Sequence, residues 1–298
     1  MATDFDPGRI GVWTFNLDLL PASQAQETAA EIESLGFGAI WIPEAVGREA
    51  YLSSMLLLAG TSTIKVATGI ASIWARDAMA AGAGHRTIEE AFPGRFLLGL
   101  GVSHQPMVEF VRGHTYDKPY TAMKAYLDGM DATMYVASPP AGPLNRALAA
   151  LGPKMLQLSA ERGVGAHPYF VPVEHTPIAR EVLGPDALLM PEQAVVLTTD
   201  PEVARATARA HMAIYLGLPN YTNNLRRLGW GDDDLTMPGS DKLVDAIVAW
   251  GTVDAIRERV KAHLDAGADH VCIQVLTPEQ GRLPLPEWKE LAPALLEV

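Results

Sequence analysis

One cysteine, Cys272, stands in a chain of 298 residues. A lone thiol excludes a disulfide within the chain and any cysteine-only metal site. It lies in an apolar run, where free cysteine behaves as a small hydrophobe, so a buried spectator is expected. Basic residues are scarce as well: 23 Lys and Arg against 35 Asp and Glu leave a net charge of -12. Nonspecific nucleic-acid binding draws on a basic surface, which this composition does not supply. No stretch reaches the ~20 apolar residues of a membrane span. The opening Met1-Ala-Thr-Asp-Phe-Asp6 is acidic and lacks the apolar segment of a signal peptide. A cytoplasmic protein with neither a membrane nor a nucleic-acid partner is therefore expected. What the chain has in plenty is apolar side chains, 48% of the total, ample for a large buried core.

That apolar content is organised. Eight segments read as strands: Ile10–Phe15, Ala39–Pro43, Lys65–Ile70, Phe96–Gly101, Arg146–Leu151, Gly165–Phe170, Ala194–Thr198 and His270–Leu276. Most are continuous apolar runs, as expected of parallel strands covered by helices. Helical signals alternate with them. The first helix follows Pro21, with Ser23 and Gln26 spaced as a capping box and Ala25, Ala29, Ile32 and Leu35 at helical spacing before Gly36. Asp200–Leu216 reads as another helix. A later one starts at the N-cap candidate Thr252, turns Ile256, Val260 and Leu264 inward, and stops at Gly267. Eight strand–helix units predict a (β/α)8 TIM barrel. About 70 residues separate the seventh and eighth strands, far more than a crossover needs. Nothing in residues 200–253 repeats the β-α pattern, so a helical insertion is predicted within a single domain, 1–298.

In such a barrel, chemistry collects where the strands end. The predicted rim carries Trp13, Glu44, Ala71 to Arg76, Ser103 and His104, Ala150 to Lys154, and His167 to Phe170. Aromatic rings and histidines in that ring suit a flat conjugated ligand, which wants apolar faces and a few placed polar groups. Trp13 and Trp74 are read as pocket wall or core. Ala149-Ala-Leu-Gly-Pro-Lys154 opens a helix with small residues, which lets backbone amides approach a phosphate, and Lys154 adds charge. His104 is matched to proton transfer near neutral pH. Arg76 and Asp77 read either as a structural pair or as a grip on an acidic tail. The Asp232-Asp-Asp234 run lacks a partner motif and reads as a solvated face or helix cap rather than a metal site. His85, His211 and His263 fall on helices as surface or packing residues.

Several fragments, in order, are familiar. Gly36-Phe-Gly-Ala-Ile-Trp-Ile-Pro-Glu44, Ala67-Thr-Gly-Ile-Ala71, Gly94-Arg-Phe-Leu-Leu-Gly-Leu-Gly101, Gly251-Thr-Val-Asp-Ala-Ile-Arg-Glu-Arg-Val260 and Asp265-Ala-Gly-Ala-Asp-His-Val271 resemble the bacterial luciferase-like monooxygenase family, and its branch that uses the deazaflavin coenzyme F420. The resemblance implies a non-prolyl cis peptide and a bulge at Ala71-Ser72-Ile73, backing the central flavin ring. It implies a phosphate site at Ala150, Leu151 and Gly152, with Leu151 standing where relatives often have glycine. Ser72, Ile73, Trp74, Arg76, Lys154, His167 and Tyr169 are further cofactor candidates, and Trp13 a substrate-pocket one. Glu44 matches an acidic rim residue, but Ala45 follows where some relatives place a catalytic histidine. His104 is then the first choice for proton transfer and Glu44 the second. The implied activity is hydride transfer between F420 and a small organic substrate, in an expected homodimer. An FMN-dependent monooxygenase, a cofactor-binding protein without turnover, and a cofactor-free isomerase or aldolase are the competing readings.

Overall fold

The computed structural model describes residues 5–298; residues 1–4 of the acidic opening lie outside them. Eleven strands are formed: β1 (Ile10–Trp13), β2 (Ala39–Ile42), β3 (Lys65–Thr68), β4 (Ala71–Ser72), β5 (Phe96–Gly101), β6 (Arg146–Leu148), β7 (Gly165–Ala166), β8 (Leu188–Leu189), β9 (Glu192–Val196), β10 (Val248–Trp250) and β11 (Val271–Val275). All pairings are parallel, in the order β10-β9-β11-β1-β2-β3-β5-β6-β7-β8, with β4 on β5. The continuous apolar runs at β1, β2 and β5 are buried throughout, because helices cover the outer face while side chains fill the interior.

The curled sheet meets itself along residues 188–196. On one side Leu188, Met190 and Glu192 donate backbone N–H bonds to Val164, Ala166 and Pro168. On the other, Cys272 donates to Pro191, and β9 runs in register with β11, Cys272 against Glu192. One bent segment thus serves as the seventh barrel strand, and the fold is the TIM-barrel-like one predicted. Its seventh strand begins earlier than Ala194, the predicted start. Glu192 and Gln193 broke the apolar run, yet both are buried.

The insertion also differs from prediction. It holds the helices Pro201–Leu216, Pro219–Arg227, Asp232–Leu235 and Asp241–Ile247, but also β10, which pairs Val248 with Ala194. Three residues, Val-Ala-Trp, are too few to show a period. Helix starts follow their caps where a side chain supplies one. Thr252 accepts from the Ala255 amide at 3.3 Å, and Asp200 from Glu202 and Val203. The Ser23–Gln26 capping box does not form. Pro21 is the N-cap of Ala22–Ser34, which places Ser23 inside the first turn, and Gln26 bonds the Leu56 carbonyl instead. No helix among the described residues is long and apolar enough to cross a membrane.

The core is apolar but threaded with neutral imidazoles. The Trp41 indole N–H donates to His270 Nε2 at 3.0 Å, and its ring stacks on His167 at 4.3 Å. His263 bonds Thr176 and Gln193. Cys272 is fully buried, and burial raises its thiol pKa.

Burial pushes His85 and His263 down to about 3, and His167 and His270 to about 4. An unfolded chain protonates these groups near 6.5. Below that pH it gains protons the folded core refuses, so this stability is present above about 6.5 and is lost as pH falls toward 4. Glu192 acts oppositely. Burial raises its carboxyl from about 4.5 to about 8, so its contribution is present below 4.5 and is lost as pH rises from there toward 8. Near pH 5.5 these four imidazoles less the one carboxyl should take up about three protons net on unfolding, and His211, which burial also lowers to about 4, adds a further one. The expected result is a Tm that drops steadily from pH 7 to pH 5. A flat profile over that interval would show that the imidazoles are already charged in the fold.

Candidate functional site

The rim is built around a bulge after β3. The Gly69–Ile70 peptide is cis, two residues before the Ala71–Ile73 position expected from the sequence. Beyond it β4 pairs with the end of β5, Ala71 against Leu100 and Ser72 against Gly101. Four hydrogen bonds hold the bulge. Gly69 N–H donates to Ile42 O, Trp13 Nε1 to Gly69 O, Glu44 N–H to Ile70 O, and Ser72 N–H to Glu44 Oε2. Glycine is needed at 69: a β-carbon there would lie 2.7 Å from Trp13 Nε1 and 3.1 Å from His167 Nε2.

This frame absorbs several predicted site residues. Glu44, its side chain only 4% exposed, forms an ion pair with Arg76. Arg76 also reaches Glu49 at 2.5 Å and lies over the Tyr51 ring at 4.5 Å. Asp77, the alternative partner, instead caps the helix Ala78–Ala91 through the Ala80 amide. Ala71, Ser72 and Ile73 are buried behind the bulge. The Trp74 indole donates to Val102 O. Glu44 and Arg76 support the bulge and are absent from the cavity walls described next.

In front of the bulge lies a cavity of about 290 Å³. It brings together His104, Ala150, Leu151, Gly152, His167 and Tyr169 of the predicted rim with Ile70 and with Asn220, Tyr221 and Arg227 of the insertion. His104 follows β5 past Ser103, whose φ is +55°. The Asn220 side chain hydrogen-bonds its ring, the Tyr221 ring is 5.3 Å away, and Nδ1 is buried without a partner. Burial lowers its pKa, with the Asn220 bond opposing, so the imidazole is neutral at pH 7. His167 Nδ1 meets Met190 O at 2.7 Å, an acceptor only, which assigns the ring proton to Nδ1. Its Nε2 is then an acceptor, buried, unpartnered and at the cavity wall. Gly152 is the N-cap of the helix Pro153–Arg162, which has no side-chain cap. Lys154 does not join this wall. At the second helical position it is exposed to solvent, and Arg227 is the cation that faces the turn.

Trp13 and Tyr169, with ring centroids 5.2 Å apart, separate this space from a second cavity of about 480 Å³. Trp13, Ala45, Ile214 and Leu276 line it together with His211, Tyr215 and Gln274. Tyr169 OH meets Tyr215 OH at 2.8 Å and donates to Gln274 Oε1 at 2.8 Å, so one chain of hydrogen bonds crosses the wall. The sequence missed His211, Tyr215, Tyr221 and Arg227. The i, i+4 spacing of His211 and Tyr215 was the available signal, and nothing in it shows which face meets the barrel. Asp232 and Asp234 are engaged locally, by Arg226 and Ser240. Among the described residues no group of three or more His, Cys, Asp or Glu is placed to hold a metal.

The first cavity is thus bordered by the bulge at Ile70, by the His104 and His167 imidazoles, and by the uncapped helix start at Gly152. The chain is 26% identical to a 5,10-methylenetetrahydromethanopterin reductase of Methanolobus tindarius, over 87% of this chain and 93% of the relative. In structure it is similar to an F420-dependent secondary alcohol dehydrogenase in complex with an F420-acetone adduct. The TM-score is 0.77 at 13% identity, covering 96% of this chain and 98% of that one. It is also similar to the FMN-bound oxygenating constituent of 3,6-diketocamphane monooxygenase of Pseudomonas putida. There the TM-score is 0.71 at 14% identity, covering 95% of each chain. The family model for luciferase-like monooxygenases matches residues 8–270, and the chain belongs to that family.

Proposed function

We propose that this protein is an F420-dependent oxidoreductase that moves a hydride between the deazaflavin and a small organic substrate. The observation that carries this reading is the first cavity. One space collects the bulge at Ile70, the unpartnered His167 Nε2, the free His104 Nδ1 and an uncapped helix start beside a cation. These fit a flat ring with an anionic tail. The Gly152 turn is also close-built: a β-carbon there would sit 3.3 Å from Arg227. The F420-related proteins among the relatives support the reading. Bound here, the deazaflavin would supply two-electron hydride chemistry. Ile70 and the bulge would back the ring, and the Gly152 turn would receive the phosphate. Trp13 would present the substrate from the second cavity, and His104 would take or give the proton. The same reading treats residues 1–298 as one barrel domain, acting as a cytoplasmic homodimer. The second reading, an FMN-dependent monooxygenase, is favoured by the FMN-bound structural neighbour.

Fluorescence titration separates the two. F420 should bind in the low-micromolar range or tighter, about 8 kcal/mol or more. FMN binding at least tenfold tighter would transfer the assignment to the monooxygenase.

Gly152→Val tests the phosphate turn. Residue 152 has φ -98°, so valine is tolerated by the backbone. The added side chain pushes on Arg227 and the anion space, and affinity for F420 should fall by ~1–3 kcal/mol with a smaller loss of thermal stability. Unchanged affinity would remove the phosphate from this turn.

For His104, substrates are first screened among alcohols, ketones and enones with the matching redox state of the cofactor. His104→Ala should then lose about 100- to 10000-fold in turnover with little change in cofactor affinity. The wild-type acid limb should lie below about 6.5, since burial lowers the pKa of this imidazole and only its neutral form accepts a proton. His104→Gln keeps a hydrogen bond but cannot titrate. If it retains turnover and the same pH profile, His104 only orients the substrate and the proton is carried by solvent.

A further inference from the structure

Arg227, we infer, is a positioning residue: it draws the insertion helix Pro219–Arg227 down onto an anion held at the start of the helix Pro153–Arg162. This rests on the cofactor reading and adds to it a residue and a coupling.

The guanidinium of Arg227 borders the first cavity beside Gly152, 3.3 Å from where a β-carbon on that residue would stand. Its neighbour Arg226 is paired with Asp232 at 2.9 Å. Arg227 has no such counter-charge. Among the described residues it forms no ion pair, and its hydrogen bond goes to the neutral Asn224 Oδ1 at 3.0 Å. Asn224 is itself 2% exposed, and its amide nitrogen is buried without a partner. Across the gap, the ten-residue helix beginning at Pro153 has no side chain capping its free N–H groups. Such a helix end carries a partial positive charge. Arg227 is exposed but faces this helix start, and two positive groups so placed repel until an anion lies between them. The same cavity wall holds the unpartnered Nε2 of His167, which is 1% exposed. The space is therefore incomplete in hydrogen bonding at both of its ends. A phosphate ester fits the Gly152 end, since it accepts from backbone amides and from a guanidinium together.

The coupling follows from the helix. Asn220, which hydrogen-bonds the His104 ring, and Tyr221, packed 5.3 Å from it, lie on the same helix as Arg227. An anion that pins Arg227 at one end of Pro219–Arg227 also seats the residues that orient His104 at the other.

The test compares F420 with its phosphate-free deazaflavin core on the full-length protein, wild type and Arg227→Met, by fluorescence titration. The expected result is a roughly 10- to 100-fold weaker Kd for F420 in the variant, with affinity for the phosphate-free core unchanged. Arg226→Met should leave both affinities as they are. In hydrogen exchange, F420 should protect amides of residues 219–227 in the wild type, and the phosphate-free core should not. Equal losses for both ligands, or no loss for either, would overturn the inference. A wild type that binds F420 no more tightly than its core would also overturn it while leaving the cofactor reading intact. A wild type that binds no deazaflavin, with or without phosphate, would overturn both.

Discussion

Much of the site depends on one carboxylate that does no chemistry in this reading. Glu44 receives the Ser72 amide, and its own amide holds the Ile70 carbonyl, so it ties strand β2 to the bulge after β3. Arg76 compensates its charge, and Glu49 and Tyr51 hold Arg76. A buried ion pair of this kind adds little net stability by itself, but losing one partner would leave a charge stranded in the protein. Its effect is positional. Ile70 stands at the cavity wall because the backbone around it has no freedom left.

The bulge also explains how aromatic and imidazole groups are shared between core and site. Trp13 bonds Gly69 on one side, faces Tyr169 on another, and lines the second cavity. His167 stacks on Trp41 below and presents Nε2 above. Both rings are structural at one edge and available at the other. Burial keeps the imidazoles neutral, so the site offers acceptor lone pairs rather than positive charge at the ring end. Positive charge is reserved for the opposite end, at Gly152 and Arg227. That division matches a ligand that is apolar and conjugated at one end and anionic at the other.

The strand-end residues were legible in the sequence wherever an element's end is marked by composition. His104 after Gly99-Leu-Gly101, the Ala149–Gly152 turn and His167 at the close of its strand all fall on the first cavity. Lys154 and Arg76 were misplaced for opposite reasons. Lys154 follows the turn but faces solvent. Arg76 lies near the rim, but two glutamates from the segment after β2 claim it. Sequence order gives no sign of that competition, because the partners are about 30 residues away.

The sequence by itself determined the barrel. Short apolar runs separated by capped, amphipathic helices have few ways to bury their surface, and a curled parallel sheet leaves few strand edges unpaired. It determined the family too, through fragments whose order follows the strands. Only the tertiary structure decided how the insertion sits. Helices such as Pro201–Leu216 and Pro219–Arg227 carry polar and aromatic residues on more than one face, so their spacing does not say which face meets the rim. Packing against the barrel turns Tyr215 and Tyr221 inward and sets the exposed Arg227 at the edge of the first cavity. The structure likewise decided where β9 begins, since Glu192 and Gln193 are polar in sequence yet buried by the closure of the barrel around them.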